Sequence, residues 1–241
     1  MIIRDLFDRL LDLFFPDRCV ACGRMGALLC AHCRAGLRPY PPEAPPAGLD
    51  GMAVGWLYEG AIRKAIHRMK YTGMRRVAVP LGDLLAERLH TAPLPADALM
   101  AVPLHAGRLA ERGFNQSEEL ANRLAHRCGL PLVPGLERCR DTGHQASLGR
   151  RARKGNVEGA FVWAVRAAPP ARVLIVDDVL TTGATLAACA DALRGAGTRE
   201  VRAVALARSL APGSRYGASI VPSTSIPPLI MAITVQTKQI Q

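Results

Sequence analysis

Hydrophobic and polar positions along the 241-residue chain follow helical and extended spacings in turn. Residues 2–15 set Ile2, Ile3, Leu6, Phe7, Leu10, Leu13 and Phe14 at helical spacing with charges on the other face, and Pro16 ends the run. That pattern predicts an amphipathic helix packed against the rest of the chain. Met52 to Tyr58 reads as a strand and Ala61 to Met69 as a short basic helix. Val77 to His90 reads as a helix whose apolar stripe is Val77, Leu81, Leu84, Leu85 and Leu89. Asp97 onward is a strand opening into a loop at Pro103, and a helix is expected from about Ser117 to Cys128. The four apolar residues Val173 to Val176 predict a buried parallel strand. A helix start at Ala184 to Leu193 and a last core strand at Val201 to Ala207 complete an α/β pattern.

Chemistry concentrates where the Val173–Val176 strand gives out. Asp177 and Asp178 follow it, then Thr181, Thr182, Gly183, Ala184 and Thr185 lead into the helix. In an open α/β sheet, ligands sit at the carboxyl ends of strands, and a helix N-terminus there presents unpaired N–H groups to an anion. The threonine hydroxyls add donors, and Gly183 lets the backbone approach the ligand. Two adjacent carboxylates repel phosphate but suit sugar hydroxyls or magnesium. A ribose 5-phosphate combines all of these features. The chain has neither G-x-x-x-x-G-K-[ST] nor G-x-G-x-x-G after a strand, so the common nucleotide loops are excluded.

The length fits one medium domain plus a small accessory one. A formal net charge of +11 is unevenly spread. Arg63, Lys64, Arg68, Lys70, Arg75 and Arg76 occur with no acid among them, and Arg138, Arg140, Arg150, Arg151, Arg153 and Lys154 form a second group. Such density suits a polyanion, either a diphosphorylated sugar or a nucleic-acid backbone. Nothing resembles a signal peptide, because charges interrupt residues 2–15, and no run approaches the ~18 apolar residues that cross a bilayer. A cytoplasmic protein with reduced thiols is expected.

Cys19-x-x-Cys22 and Cys30-x-x-Cys33 then read as two knuckles of one S4 metal site, with zinc expected and an iron–sulfur cluster as the competitor. Four ligands leave no open position, so the site is structural, and metal binding would fold a module with almost no core of its own. Five prolines between Arg38 and Pro46 read as a stiff linker. The expected organisation is therefore a cysteine module with its linker at 1–48, a main domain at 49–210 and a tail of unassigned role at 211–241. Cys128 and Cys189, on helix faces, are expected to be buried small hydrophobes.

The strand, acid pair and Thr-Thr-Gly-x-Thr loop resemble the phosphate-binding signature of the type I phosphoribosyltransferases. Further segments narrow the likeness to the ComF/GntX family. They are Pro103-Leu-His with Arg112-Gly-Phe-Asn-Gln116, the run Arg138-x-Arg140-x-Thr142-x-x-Gln145 through Arg153-x-x-Asn156 to Phe161, and Tyr58-x-Gly60 through Lys70-Tyr71 and Gly73. The four-cysteine module is also typical of that family. The resemblance covers about residues 5–208 and implies a parallel sheet flanked by helices with a small zinc-ribbon-like module before it.

The resemblance implies roles residue by residue. Thr181, Thr182, Gly183, Ala184 and Thr185 would hold a 5-phosphate, and Asp177 and Asp178 the ribose hydroxyls. The loop from Val102 to Arg112 stands where a pyrophosphate loop belongs, with Arg108 and Arg112 as ligands because a guanidinium fork matches phosphate oxygens. Arg153 would lie on an active-site flap, with magnesium as counter-ion of phosphoribosyl pyrophosphate. No residue is an obvious general base. Three readings stand: a phosphoribosyltransferase on an unknown acceptor, a single-stranded-DNA-handling protein linked to DNA uptake, and a non-catalytic sensor of phosphoribosyl pyrophosphate.

Overall fold

The computed structural model describes residues 16–140 and 159–210, which lie within one compact unit, Met1–Leu210. The amino-terminal amphipathic stretch, the proposed flap with Arg153 and the tail from Ala211 lie outside the described residues. A five-residue helix α1 (Ala31–Ala35) follows the cysteine knuckles, then β1 (Gly51–Leu57), α2 (Gly60–Tyr71) and α3 (Ala78–Thr91). β2 (Ala98–Ala101), α4 (Ala106–Arg112), α5 (Gln116–Cys128) and the short strands β3 (Leu136–Arg138) and β4 (Phe161–Trp163) come next. β5 (Arg172–Leu180), α6 (Ala184–Gly195) and β6 (Glu200–Arg208) complete the order.

Four strands form a wholly parallel sheet in the order β1-β6-β5-β2. Both faces are covered, which is why its central strands read as unbroken apolar runs. Leu174 and Val176 of β5 pack with Val204 and Leu206 of β6 beneath Leu81, Leu85, Leu120 and Leu124 of α3 and α5. Val173 and Ile175 turn the other way and pack with Leu186, Cys189 and Leu193 of α6. β3 and β4 pair antiparallel over that second layer.

Three features differ from the sequence expectation. The central strand does not stop at Val176: β6 continues to pair with β5 through Asp177↔Ala205 and Leu180↔Arg208, so the acids lie within the strand. β2 ends at the Ala101↔Val176 pair, so β5 outruns it and the acids have no β2 partner on that side. Second, Ala106–Arg112 is a short helix rather than a loop. His105 Nδ1 accepts from the Gly107 N–H at 3.3 Å at its start, and Gly113, at φ 76°, ends it in the left-handed conformation glycine tolerates. Third, Cys128 is exposed at the end of α5, whereas Cys189 is buried as expected.

The proline-rich stretch lies along the sheet. Tyr40 N–H donates to Gly55 O and Leu57 N–H to Arg38 O, both at 2.9 Å, strapping residues 38–40 antiparallel to the outer edge of β1. That covers an edge which would otherwise present unpaired backbone groups. Arg88 Nε donates to Val54 O at 3.0 Å further along the same strand.

Candidate functional site

Asp177 and Asp178 are 9% and 3% exposed, and each is held by the start of α5. Asn115 caps that helix, its side chain accepting from Ser117 N–H while its amide donates to Val102 O, both at 3.0 Å. The cap aims the next two side chains at the acids. Ser117 Oγ donates to Asp177 Oδ1 at 3.1 Å, and Gln116 Nε2 donates to Asp178 Oδ1 at 3.2 Å. The Asp178 backbone N–H also donates to Asp177 Oδ1, at 2.9 Å. Lys70, in the last turn of α2, brings its ammonium onto Asp178 Oδ2.

The charges are unevenly shared. Burial, and then the charge of Asp178, push the Asp177 carboxyl up to about 7 against the pull of Lys70. Lys70 is deeply buried, which disfavours its charge. The Asp178 carboxylate outweighs that and raises its pKa above the ordinary lysine value, so it stays protonated. The arrangement is a buried ion pair beside a carboxyl that takes up a proton near neutrality.

The threonine loop lies beyond these acids. Gly183 is the N-cap residue of α6 at φ 83°, and no side chain caps the helix. The N–H groups that follow Ala184 are therefore available to an anion. Thr182 Oγ1 accepts from Ala184 N–H at 3.3 Å, and Thr181 and Thr182 are exposed. A Cβ on Gly183 would fall 2.6 Å from Pro46 Cγ, so the proline-rich stretch also packs against the threonine loop. Gly183→Ala therefore meets a left-handed backbone and a steric clash together. It should destabilise the protein by about 1–3 kcal/mol in chemical denaturation. Pro46→Gly in the same background should recover only the steric part.

The structure links Arg112 to Asp178 through Gln116 and pairs Arg108, one turn earlier on α4 and likewise half-buried, elsewhere. Arg112 Nη1 donates to Gln116 Oε1, and its guanidinium lies 5.8 Å from the Tyr71 ring centre. Arg108 pairs within α4 with the exposed Glu111 at 3.6 Å. Sequence reasoning does not single out Lys70, Gln116 or Ser117 as site residues. Along the chain Lys70 is one of six clustered cations, and of these it alone is not exposed.

The four cysteines converge as their spacing requires. Their sulfurs lie within 4.8 Å of one another, with Cys22 and Cys30 Sγ 3.7 Å apart. A tetrahedral ion with zinc–sulfur bonds of about 2.3 Å needs sulfur separations of about 3.8 Å, so the cluster could hold a metal ion and is consistent with zinc. Gly23, at φ 78°, closes the first knuckle by donating to Cys19 O at 2.7 Å. Burial raises the Cys19 thiol, but the N–H groups of Cys30, Ala21 and Cys22 more than offset it and bring it to about 6. Burial and the neighbouring sulfurs push Cys33 up to about 12.

A family model described as phosphoribosyl transferase domain matches residues 72–227. DNA utilization protein YhgH of Salmonella typhi is 36% identical over 163 residues, covering 64% of this chain and 70% of that one. Competence protein F of Haemophilus influenzae is 31% identical over 194 residues, covering 75% of this chain and 84% of that one. Competence protein ComFC of Streptococcus pneumoniae is 29% identical over 151 residues, or 63% and 65% of the two chains. The parallel sheet, the acid pair at its edge, the uncapped helix after Gly183 and the four-sulfur module agree with those likenesses, and the chain belongs to the ComF family, with a phosphoribosyl transferase domain.

Proposed function

We propose that this chain binds phosphoribosyl pyrophosphate with magnesium and uses that pocket in handling single-stranded DNA during DNA uptake. The observation that carries the sugar-phosphate reading is the buried acid pair on β5 beside the uncapped, glycine-opened start of α6. Asp177 and Asp178 would take the ribose hydroxyls. The loop from Thr181 to Thr185 would take the 5-phosphate, with Arg112 reaching the pyrophosphate. Arg153, outside the described residues, keeps its proposed place on the flap, and Arg108 needs a change of partner to join the site. Magnesium would neutralise the pyrophosphate, and zinc would fill the four-sulfur cluster as a structural ion. Among the described residues no helix is long and apolar enough to cross a membrane.

The DNA part rests on the names carried by the relatives and on the outer face of α2, where Arg63, Lys64 and Arg68 are exposed beside Tyr71, whose ring lies tilted against that of His67 at 4.6 Å. A cationic face with an exposed ring suits a single strand, whose bases stack on aromatic rings. Arg63→Ser with Arg68→Ser should weaken single-stranded DNA binding. It should also flatten its log–log salt dependence by up to about 1.4, at roughly 0.7 for each phosphate that is no longer neutralised. An unchanged slope would move the DNA to another surface. Calorimetric titration with magnesium phosphoribosyl pyrophosphate tests the sugar site: affinity of order micromolar supports it, and no binding by folded, metal-loaded protein overturns it.

A second reading is transfer of the phosphoribosyl group to an acceptor. It is favoured by Asp177, whose carboxyl at about 7 gives the site a group able to take up a proton at neutral pH. Pyrophosphate release in the presence of a nucleobase pool or single-stranded DNA distinguishes transfer from sensing.

A further inference from the structure

Of the six clustered cations around α2, Lys70 is spent on the interior. Its side chain is 17% exposed and that of Asp178 only 5%. Asp178 Oδ1 accepts from Gln116 Nε2 at 3.2 Å, and Oδ2, which accepts no hydrogen bond, is held only by its ion pair with Lys70. In this state the acid that would receive a sugar hydroxyl is sealed from solvent by the protein's own lysine. A second cation converges on the same acid less directly, because Arg112 donates to Gln116 Oε1 and rests over the ring of Tyr71, the residue after Lys70. The end of the expected pyrophosphate loop and the end of α2 therefore flank one carboxylate.

A buried ammonium that loses its counter-ion is strongly disfavoured. Lys70 will release Asp178 only for another anion, which makes the pair sensitive to what the ligand carries. A ribose 5-phosphate offers hydroxyls to Asp178 but nothing to Lys70. A ribose bearing pyrophosphate offers both, hydroxyls to the acid and phosphate oxygens to the lysine. Building on the sugar-phosphate reading above, we propose that Lys70 is a specificity-determining residue that exchanges Asp178 for the ligand's pyrophosphate, so that only a pyrophosphorylated ribose opens the site.

The exchange predicts a coupling of unusual sign. Two anions binding in one cleft repel each other, so free pyrophosphate should ordinarily weaken ribose 5-phosphate binding or leave it unchanged. Here magnesium pyrophosphate draws Lys70 from Asp178 and frees the acid for the sugar. Ribose 5-phosphate should bind about tenfold tighter at saturating magnesium pyrophosphate, within the usual range of coupled sites, and by linkage the converse holds by the same factor.

The test is calorimetric titration of wild-type protein with ribose 5-phosphate, with and without magnesium pyrophosphate, beside a titration with phosphoribosyl pyrophosphate. Tightening supports the exchange. Equal or weaker affinity, in protein that still binds phosphoribosyl pyrophosphate, overturns it and leaves the sugar-phosphate reading standing. No binding of phosphoribosyl pyrophosphate overturns both. Lys70→Met should lower affinity for phosphoribosyl pyrophosphate, hold or raise that for ribose 5-phosphate and abolish the coupling, and Lys70→Arg should restore part of it. The wild-type coupling decides the matter even if the methionine variant does not fold.

Discussion

Cys30→Ser should strip the bound metal from the amino-terminal module and unfold that module. Cys30 is buried, its sulfur lies 3.7 Å from that of Cys22, and it accepts from the Cys33 N–H at 3.5 Å as the cap of α1. Within the module itself little else holds these residues together. α1 is five residues long and has no buried residue, and the knuckles rely on turns such as Cys19 N–H to Arg24 O at 2.8 Å. Structural zinc contributes about 10–16 kcal/mol in zinc-finger peptides, far more than a module of this size gains from burial. The damage should spread, because Leu29 and Leu37 pack into the layer formed with α2, and Lys64 Nζ donates to Ala21 O at 3.1 Å. The measurements are metal content and limited proteolysis of the full chain. The parent is expected to hold one zinc ion and resist cleavage between residues 17 and 45, and the variant to hold almost none and be cut there. Zinc content equal to the parent's would rule out the four-sulfur site.

What the sequence disclosed, and what it hid, follows from which interactions are local. The buried strand, the acid pair and the cysteine spacing are legible because each is a contiguous pattern with one physical explanation. The length of β5 is not. Asp177, Asp178, Val179 and Leu180 remain extended because β6 pairs with them, and pairing with a strand about thirty residues away leaves no trace in a local window. α4 lacks a signal because its only large apolar residue, Leu109, is exposed and no stripe forms. Lys70 is hidden among like charges, yet a signal exists. Ile62, Ala65, Ile66 and Met69 are the buried face of α2, and Lys70 follows Ile66 by four, which puts it on the edge of that face. Cys128 shows the limit of the same rule. It follows Leu124 by four on the core side of α5, but the helix ends there, and a periodicity argument does not know where its partner stops.

Asp178→Asn should abolish sugar-phosphate binding and, unlike Asp177→Asn, should cost the fold heavily. The sequence alone suggests that both acids could be neutralised without structural penalty, since they read as ligands at a strand end. The structure separates them. Removing the charge of Asp178 strands Lys70 as a buried cation, and breaking one side of such a pair costs about 3–5 kcal/mol. Adding Lys70→Met should recover much of that loss without restoring binding, because removing both charges of a buried pair is often close to neutral. Asp177 behaves in the opposite sense. Its carboxyl is raised from 3.8 to about 7 in the folded protein, chiefly by burial and next by the charge of Asp178, so the fold holds that proton more tightly than the unfolded chain does. Its contribution to stability is present below pH 3.8 and is lost as the pH rises to about 7. Asp177→Asn removes that titration, so between about pH 4 and 8 its stability should rise relative to the parent as the pH increases. Ser117 Oγ and the Asp178 N–H can still donate to the amide oxygen. Chemical denaturation of both variants across that range, with calorimetry of phosphoribosyl pyrophosphate near neutral pH, gives the comparison. Equal destabilisation by the two asparagines would mean that Lys70 does not depend on Asp178, and unchanged affinity in the Asp178 variant would remove the acid pair from the binding site.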